Sequence, residues 1–177
     1  VALPPALTEL GGEAFAGSGL GAGNAVVDLS GSGVERVGDR FMRSCQSLTM
    51  VKLPEALQCA GNEFLMECPK LVSVEVPRKL TRLGDDAFAN TGFTMMDLSA
   101  AALVEVGRGF LSGCPALATA MLPASLQTLN LAQNHFTGPV DLTRLPASLT
   151  AMDISQNALT GGEVDDGVHD DSCGMIA

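Results

Sequence analysis

The stretch that decides the fold runs from Leu71 to Gly92 and reads LVSVEVPRKLTRLGDDAFANTG. Its apolar residues follow the pattern L-x-x-V-x-V-P-x-x-L-x-x-L-G-x-x-A-F, in which two short apolar segments are separated by a proline. A few alternating apolar and polar residues are typical of a β-strand with one buried face. The stretch therefore predicts two short strands and their turns within one small unit.

The same unit recurs along the chain with a period of 23 residues. Six apolar positions keep this spacing without exception: Val34, Leu57, Leu80, Leu103, Leu126 and Leu149. Four prolines share the phase, with Ala100 in the missing place: Pro54, Pro77, Pro123 and Pro146. A unit this short cannot bury its apolar edge alone, so neighbouring units are expected to stack around one continuous core.

Three further ladders describe the inside of each coil. Glycines recur in phase, where we expect them to let the chain turn tightly: Gly38, Gly61, Gly84 and Gly107. Phenylalanines nearly keep the period: Phe41, Phe64, Phe88 and Phe110. Cysteines follow a phenylalanine by four residues, with Gly19 and Gly92 in their place elsewhere: Cys45, Cys68 and Cys114. We expect these cysteines to stack in the core as small hydrophobes.

Two later units change pattern while keeping the phase: LQTLNLAQNHFTG from Leu126 and LTAMDISQNALTG from Leu149. Residues 1–122 resemble the BspA-like class of leucine-rich repeat, and residues 123–162 resemble the standard L-x-x-L-x-L-x-x-N-x-L-x-G repeat. The resemblance implies a mostly β repeat solenoid, a leucine-rich-repeat horseshoe of about seven coils with little helix, over residues 1–162. It also implies that Asn134 and Asn157 hydrogen-bond the backbone of their turn and of the next coil. Residues 163–177 are acidic, and we expect a flexible tail there.

The charge balance excludes several classes of partner. The formal net charge is −10, whereas nucleic acids and anionic membranes attract proteins with a surplus of Lys and Arg. No run of about 18 apolar residues predicts a membrane-spanning segment, and no targeting signal is visible. Cytoplasmic and cell-surface locations therefore both stay open. Neither end has a Cys-rich capping motif, which favours a segment of a longer repeat protein.

Alternation along the strands predicts which side chains face outward. It places Leu48, Val51 and Leu53 inside, and it exposes Val26 and Asp28 in the first coil. The predicted binding face consists of the outward residues of the following coils: Met50, Lys52, Ser73, Glu75, Met95, Asp97, Thr119, Met121, Thr128, Asn130 and Asp153. The sequence leaves open which of the two strand sets lines the concave side, and the two pattern classes allow the two halves to differ.

The sequence offers little to a catalytic, metal or cofactor site. A nucleophile needs an oriented base, yet the only histidines are His135, at an outward repeat position, and His169, in the tail. No C-x-x-C pair is present for zinc, and the glycines from Gly17 to Gly23 lack the strand–helix context of a dinucleotide loop. Among the cysteines, Cys45 and Cys68 lie close enough for an accidental disulfide, Cys59 is the candidate reactive thiol and Cys173 is expected to be exposed.

These observations favour a non-catalytic protein-binding module without cofactor or metal. Regular coils form a long, preformed surface that loses little entropy on binding. The acidic charge favours a basic or mixed-charge protein partner. Two alternatives stay open: a cell-surface adhesin or recognition ectodomain, which the resemblance suggests, and a regulatory repeat arm of a larger enzyme. The sequence does not indicate an oligomeric state.

Overall fold

A computed structural model describes residues 3–22, 26–117, 119–131, 137–139 and 145–160. These residues form fourteen short strands: β1 (Glu9–Leu10), β2 (Val26–Asp28), β3 (Arg36–Val37), β4 (Met50–Lys52), β5 (Cys59–Ala60), β6 (Ser73–Glu75), β7 (Arg82–Leu83), β8 (Met95–Asp97), β9 (Glu105–Val106), β10 (Thr119–Met121), β11 (Thr128–Asn130), β12 (Thr137–Pro139), β13 (Ala151–Asp153) and β14 (Ala158–Thr160). No helix occurs in these ranges. The predicted β repeat solenoid is therefore confirmed, with about six turns.

The largest sheet, here called the long sheet, contains the seven strands β1, β3, β5, β7, β9, β11 and β13 in that order. Its pairing is parallel, and from β3 onward its register joins residues 23 positions apart, as in Cys59 with Arg82 and Arg82 with Glu105. Between β1 and β3 the paired residues, such as Glu9 and Arg36, are 27 positions apart. The leucine two residues before each strand is fully buried at four coils: Leu57, Leu80, Leu103 and Leu126. Leu149, beside the last strand, is partly buried against the same core.

The second strand set, here called the broken sheet, forms two separate parallel ladders, β2–β4–β6 and β8–β10. The pair β12–β14 belongs to neither sheet, because β12 starts nine residues after the start of β11, whereas β10 starts fourteen residues after the start of β9. Its spacing varies, because Val26 pairs with Met50, Met50 with Ser73, and Met95 with Thr119. The inward assignments agree with burial, since Leu48 and Val51 are fully buried and Leu53 nearly so. From β1 to β10, each coil thus contributes one strand to a regular side and one to an irregular side.

A six-residue turn follows each of the long-sheet strands β1, β3, β5, β7 and β9 and uses left-handed backbone at every second residue. In the second coil Arg40, Met42 and Ser44 have φ of 60°, 52° and 58°. The Arg40 and Ser44 amides donate to the next coil, whereas the Met42 amide donates to Ala14 of the previous coil. Left-handed conformations cost free energy for residues with a Cβ. Hydrogen bonds in both directions along the stack offset this cost.

The glycine ladder has a different cause from the one expected. Gly38, Gly61, Gly84 and Gly107 are not in the left-handed region, so they do not supply backbone freedom to the turn. A Cβ at Gly84 would lie 2.6 Å from the backbone nitrogen of Asn62 in the preceding coil. Glycine is required because neighbouring coils approach too closely there for a side chain.

The phenylalanine ladder is shifted by one residue in the fourth coil. The Phe88 amide donates to Phe64, as the Leu65 amide donates to Phe41, so Phe88 is equivalent to Leu65 and Ala87 takes the phenylalanine position. The geometry between neighbouring aromatic rings changes at this shift. Phe41 and Phe64, at equivalent positions, stack at 5.6 Å and 11°, whereas Phe64 and Phe88 meet edge-on at 5.4 Å and 80°. Phe64, Phe88 and Phe110 are all fully buried.

The cysteine position is also occupied differently from the expectation. Thr91 rather than Gly92 fills it in the fourth coil, because the Thr91 hydroxyl contacts the Cys114 thiol at 3.1 Å. Ser18 rather than Gly19 fills it in the first coil, where its hydroxyl lies 3.5 Å from the Cys45 thiol. The repeat therefore selects a small side chain that can hydrogen-bond, not only a small hydrophobe. Cys45 and Cys68 are fully buried, and Cys114 is half-buried.

Candidate binding surface

The eleven residues of the predicted binding face do not form one column. Eight lie on the broken sheet, in β4, β6, β8 and β10, and these are Met50, Lys52, Ser73, Glu75, Met95, Asp97, Thr119 and Met121. The other three, Thr128, Asn130 and Asp153, lie in β11 and β13 of the long sheet. The division has a simple cause: Thr128 is in register with Glu105 of β9, so the second pattern class continues the long sheet.

Exposed apolar side chains concentrate on the broken sheet. Five large hydrophobic residues stand out by their relative exposure in the described ranges: Val26 (41%), Val72 (54%), Met95 (55%), Val104 (37%) and Met121 (39%). Four of the five lie in the broken sheet or directly before one of its strands. Sequence reasoning missed Val72, whose signal is a valine at a position where other coils carry Thr49 and Thr94. Clusters of exposed apolar residues mark interaction surfaces.

A charged column runs beside these apolar residues. Asp28, Lys52 and Glu75 are in register on adjacent strands, and the Lys52 ammonium lies 3.0 Å from the Glu75 carboxylate. This hydrogen bond raises the pKa of Lys52. Asp97 continues the acidic side on β8 and accepts hydrogen bonds from the Ser99 hydroxyl and amide, which lower its pKa.

The charges of the other surfaces pair with one another. On the long sheet Arg36 pairs with Glu9, and Arg82 pairs with Glu105 at 3.5 Å. A denser network crosses three of the six-residue turns. Its ion pairs are Arg40 with Glu13 at 2.9 Å, Arg40 with Glu63 at 3.3 Å, Arg43 with Glu63, and Arg43 with Glu67 at 3.0 Å. Ion pairs on the surface stabilise the fold only slightly, but they leave fewer unpaired charged groups for a partner to bind.

The thiols that the structure describes are all free, so Cys45 and Cys68 form no disulfide here. The Cys45 thiol donates to the Phe15 carbonyl and the Cys68 thiol to the Met42 carbonyl, each at 3.3 Å. The hydrogen bond shared with Cys45, together with burial, raises the pKa of Cys68. Cys59 is partly exposed between Arg36 and Arg82 on the long sheet. Within the described ranges no three metal-ligating side chains come together.

The asparagine of the later repeats has the role expected inside the turn. The Asn157 amide donates to Ile154 of its own turn at 2.9 Å and to Leu131 at 2.7 Å. Leu131 belongs to the preceding coil, whereas the resemblance implied the next one. Several predicted features lie outside the described residues: Asn134, His135, His169, Cys173 and the acidic segment 163–177. No described helix is long and apolar enough to cross a membrane.

Comparison with known proteins agrees with this architecture. The BspA type leucine rich repeat region matches residues 8–143 in six copies. The match extends past residue 122, where the sequence pattern changes. A leucine-rich repeat protein of T. pallidum superimposes with a TM-score of 0.62 at 23% identity, over 91% of this chain and 72% of that one. A leucine-rich repeat protein from Bacteroides ovatus gives 0.63 at 20% identity, over 90% of this chain and 45% of that one. No curated protein matches significantly.

Proposed function

Because the chain belongs to the BspA-type leucine-rich repeat family, we propose that it is a non-catalytic protein-binding module that presents the broken sheet to a protein partner. The observation that carries this proposal is the concentration of exposed Val26, Val72, Met95 and Met121 on or beside that sheet. Apolar side chains surrounded by polar ones are the usual anatomy of a protein interface.

The charges of the three surfaces support the same choice. On the long sheet and in the turn network, arginines form ion pairs with glutamates of the same surface. The strands of the broken sheet carry three carboxylates, Asp28, Glu75 and Asp97, and one described lysine, Lys52. With a net charge of −10, a basic or mixed-charge protein is the complementary partner.

Affinity capture from the source cell tests the proposal with three baits. The first is the parent chain, and the second carries Lys52→Glu, Glu75→Lys and Asp97→Lys. The third is a matched control on the long sheet, Arg82→Glu with Glu105→Lys, which exchanges the two members of an ion pair. We expect the same protein to be captured by the parent and the control and lost by the second bait. Loss with the control alone, or equal capture by all three, would contradict the choice of face.

A further inference from the structure

The two ladders of the broken sheet, here called its halves, differ in charge and in the kind of apolar side chain that they expose. In the β2–β4–β6 half, Lys52 lies between Asp28 and Glu75 and pairs with Glu75. In the β8–β10 half, Asp97 has no ion pair with any described residue. The first half exposes the β-branched Val26 and Val72, and its Met50 is half-buried. The second half exposes the more flexible Met95 and Met121.

The β8–β10 half places one carboxylate between two flexible apolar side chains. Asp97 is in register with Met121 on the adjacent strand, and Met95 is in register with Thr119. Met95 and Asp97 are two residues apart on β8, so both point outward. The four side chains therefore form a rectangle with sides of about 5 and 7 Å. If a binding partner placed a cationic group at Asp97, apolar groups beside that cation could contact both methionines.

This arrangement suits a protein segment rather than other occupants. Methionine is unbranched and polarizable, so it adapts to irregular apolar partners. A carboxylate between two methionines, without an ion pair among the described residues, complements a Lys or Arg flanked by apolar residues. A second copy of this chain is disfavoured because two molecules of net charge −10 repel each other.

We propose that the β8–β10 half is the docking site for a basic, apolar segment of another protein. In this complex a Lys or Arg pairs with Asp97, and the neighbouring apolar side chains cover Met95 and Met121. Lys52 already fills the equivalent acidic site of the other half from within the chain, so a basic residue of the partner gains less there. The inference rests on the proposed function and narrows it to four residues.

Methionine-methyl NMR of the full chain tests the site directly. The probe is a short synthetic peptide of alternating leucine and lysine. One control peptide carries glutamate in place of lysine, and another carries serine in place of leucine. We expect the leucine–lysine peptide to shift the Met95 and Met121 signals while the Met50 signal stays unchanged. Neither control peptide should shift them comparably. Shifts centred on Met50, or no binding of the leucine–lysine peptide, would overturn the proposal.

Two aspartates give a matched pair of variants for the charge. Asp28 and Asp97 each accept hydrogen bonds from a serine two residues later, and an asparagine can accept them as well. We expect Asp97→Asn to weaken peptide binding about fivefold, and Asp28→Asn to leave it within about twofold. Equal weakening by both variants would assign the binding to the whole column and overturn the proposal.

A second pair tests the apolar contribution. Met121 and Val104 are exposed to nearly the same extent, but Val104 directly precedes β9 of the long sheet. Met121→Ser should weaken peptide binding several-fold, and Val104→Ser should not change it. Sedimentation of the free chain tests whether a second copy occupies the surface. A dimer that is lost in Met121→Ser would assign the surface to a second copy and overturn the proposal. The capture experiment stays independent, because it can succeed on the broken sheet even if the peptide binds elsewhere.

Discussion

The long sheet and the broken sheet are built from the same repeating unit, but from the second coil onward only the long sheet keeps a constant period. From Arg36 to Ala151 its paired residues are always 23 positions apart. On the broken sheet the first residues of successive strands are Val26, Met50, Ser73, Met95 and Thr119, with intervals that vary from 22 to 24. From β3 onward, insertions and deletions therefore fall between the two sheets and are cancelled before the next long-sheet strand, whereas the longer interval from Glu9 to Arg36 is not cancelled.

This difference separates the long-sheet side of the repeat unit, which determines how the coils stack, from the broken-sheet side, whose length and surface vary. Both sides contain fully buried leucines, such as Leu57 and Leu48, but the close-approach glycine ladder and the hydrogen-bonded turns follow the long-sheet strands. The broken-sheet side carries exposed methionines and acidic residues on ladders that stop and restart. Surface variation on a rigid scaffold is where binding specificity usually lies. The comparison predicts large stability effects on the first side and small ones on the second.

The largest effect is expected from Leu80→Asp on the long-sheet side. Leu80 is fully buried, so the variant would place an unpaired carboxylate between stacked coils, at a cost of several kcal/mol. Urea unfolding followed by circular dichroism should show partial or complete loss of the fold. Arg82→Asp is the control, because it introduces the same side chain two residues later at an exposed position. Equal stability of Leu80→Asp and the parent would refute the inward assignment of the 23-residue ladder.

Gly84→Ala tests whether the glycine ladder serves close approach. The new Cβ would lie 2.6 Å from the backbone nitrogen of Asn62, and overpacking of this kind costs about 1–3 kcal/mol. Gly31→Ala is the matched control, since its Cβ would meet nothing within 4 Å and should be neutral or slightly stabilising. Thermal unfolding of both variants distinguishes the two causes. If Gly84→Ala were as stable as Gly31→Ala, the coils would not be in tight contact there.

The sequence predicted the long-sheet side well because its constraints are periodic. Because a buried apolar residue recurs in every coil, positions such as Leu57 and Leu80 form a ladder that can be recognised in a single sequence. The sequence could not assign Phe88, because a one-residue shift between Ala87 and Phe88 leaves the count of apolar residues unchanged. Only the hydrogen bond from the Phe88 amide to Phe64 shows which position it takes.

The candidate face was predicted in part, for a related reason. Alternation correctly separated Val51 from Met50 and Lys52, since one face of a strand packs on the core. It could not show that Thr128 belongs to a different sheet from Thr119. Both residues occupy outward positions of the sequence pattern, although the Thr128 hydroxyl oxygen is buried in the structure. The assignment to a sheet depends on the pairing of Thr128 with Glu105, which is a contact between coils.

Low pH should reduce the stability of the fold, because several carboxylates are stabilised in their ionised form in the folded state. Hydrogen bonds from Ser30, Ser99 and Ser155 lower the pKa of Asp28, Asp97 and Asp153, and Arg43 with Ser44 lowers that of Glu67. For a group with a lowered folded pKa, the stabilisation is present above the unfolded pKa and is lost as pH falls through the folded one. Stability should therefore decrease below about pH 4.

Asp86 provides an internal contrast for this pH dependence. Burial and the nearby charges of Asp85 and Glu63 raise its pKa, so its ionisation opposes folding and its protonation at low pH is favourable. We expect Asp86→Asn to make the acid-side loss of thermal stability steeper, and Asp97→Asn to make it shallower. Melting curves between pH 3 and pH 7 measure both slopes. The same slope in the two variants would contradict the assignment.

The smallest effect is expected from Lys52→Glu on the broken sheet. The variant breaks the Lys52–Glu75 pair, which is exposed to solvent, and the loss of unfolding free energy should stay within about half a kcal/mol. The matching change on the other side is Arg43→Glu, which disrupts a half-buried guanidinium paired with Glu63 and Glu67 and should cost about 1 kcal/mol or more. Urea unfolding of the two variants compares them directly. A larger loss in Lys52→Glu would mean that the charged column holds the stack together, and the separation between a stabilising side and a recognition side would fail.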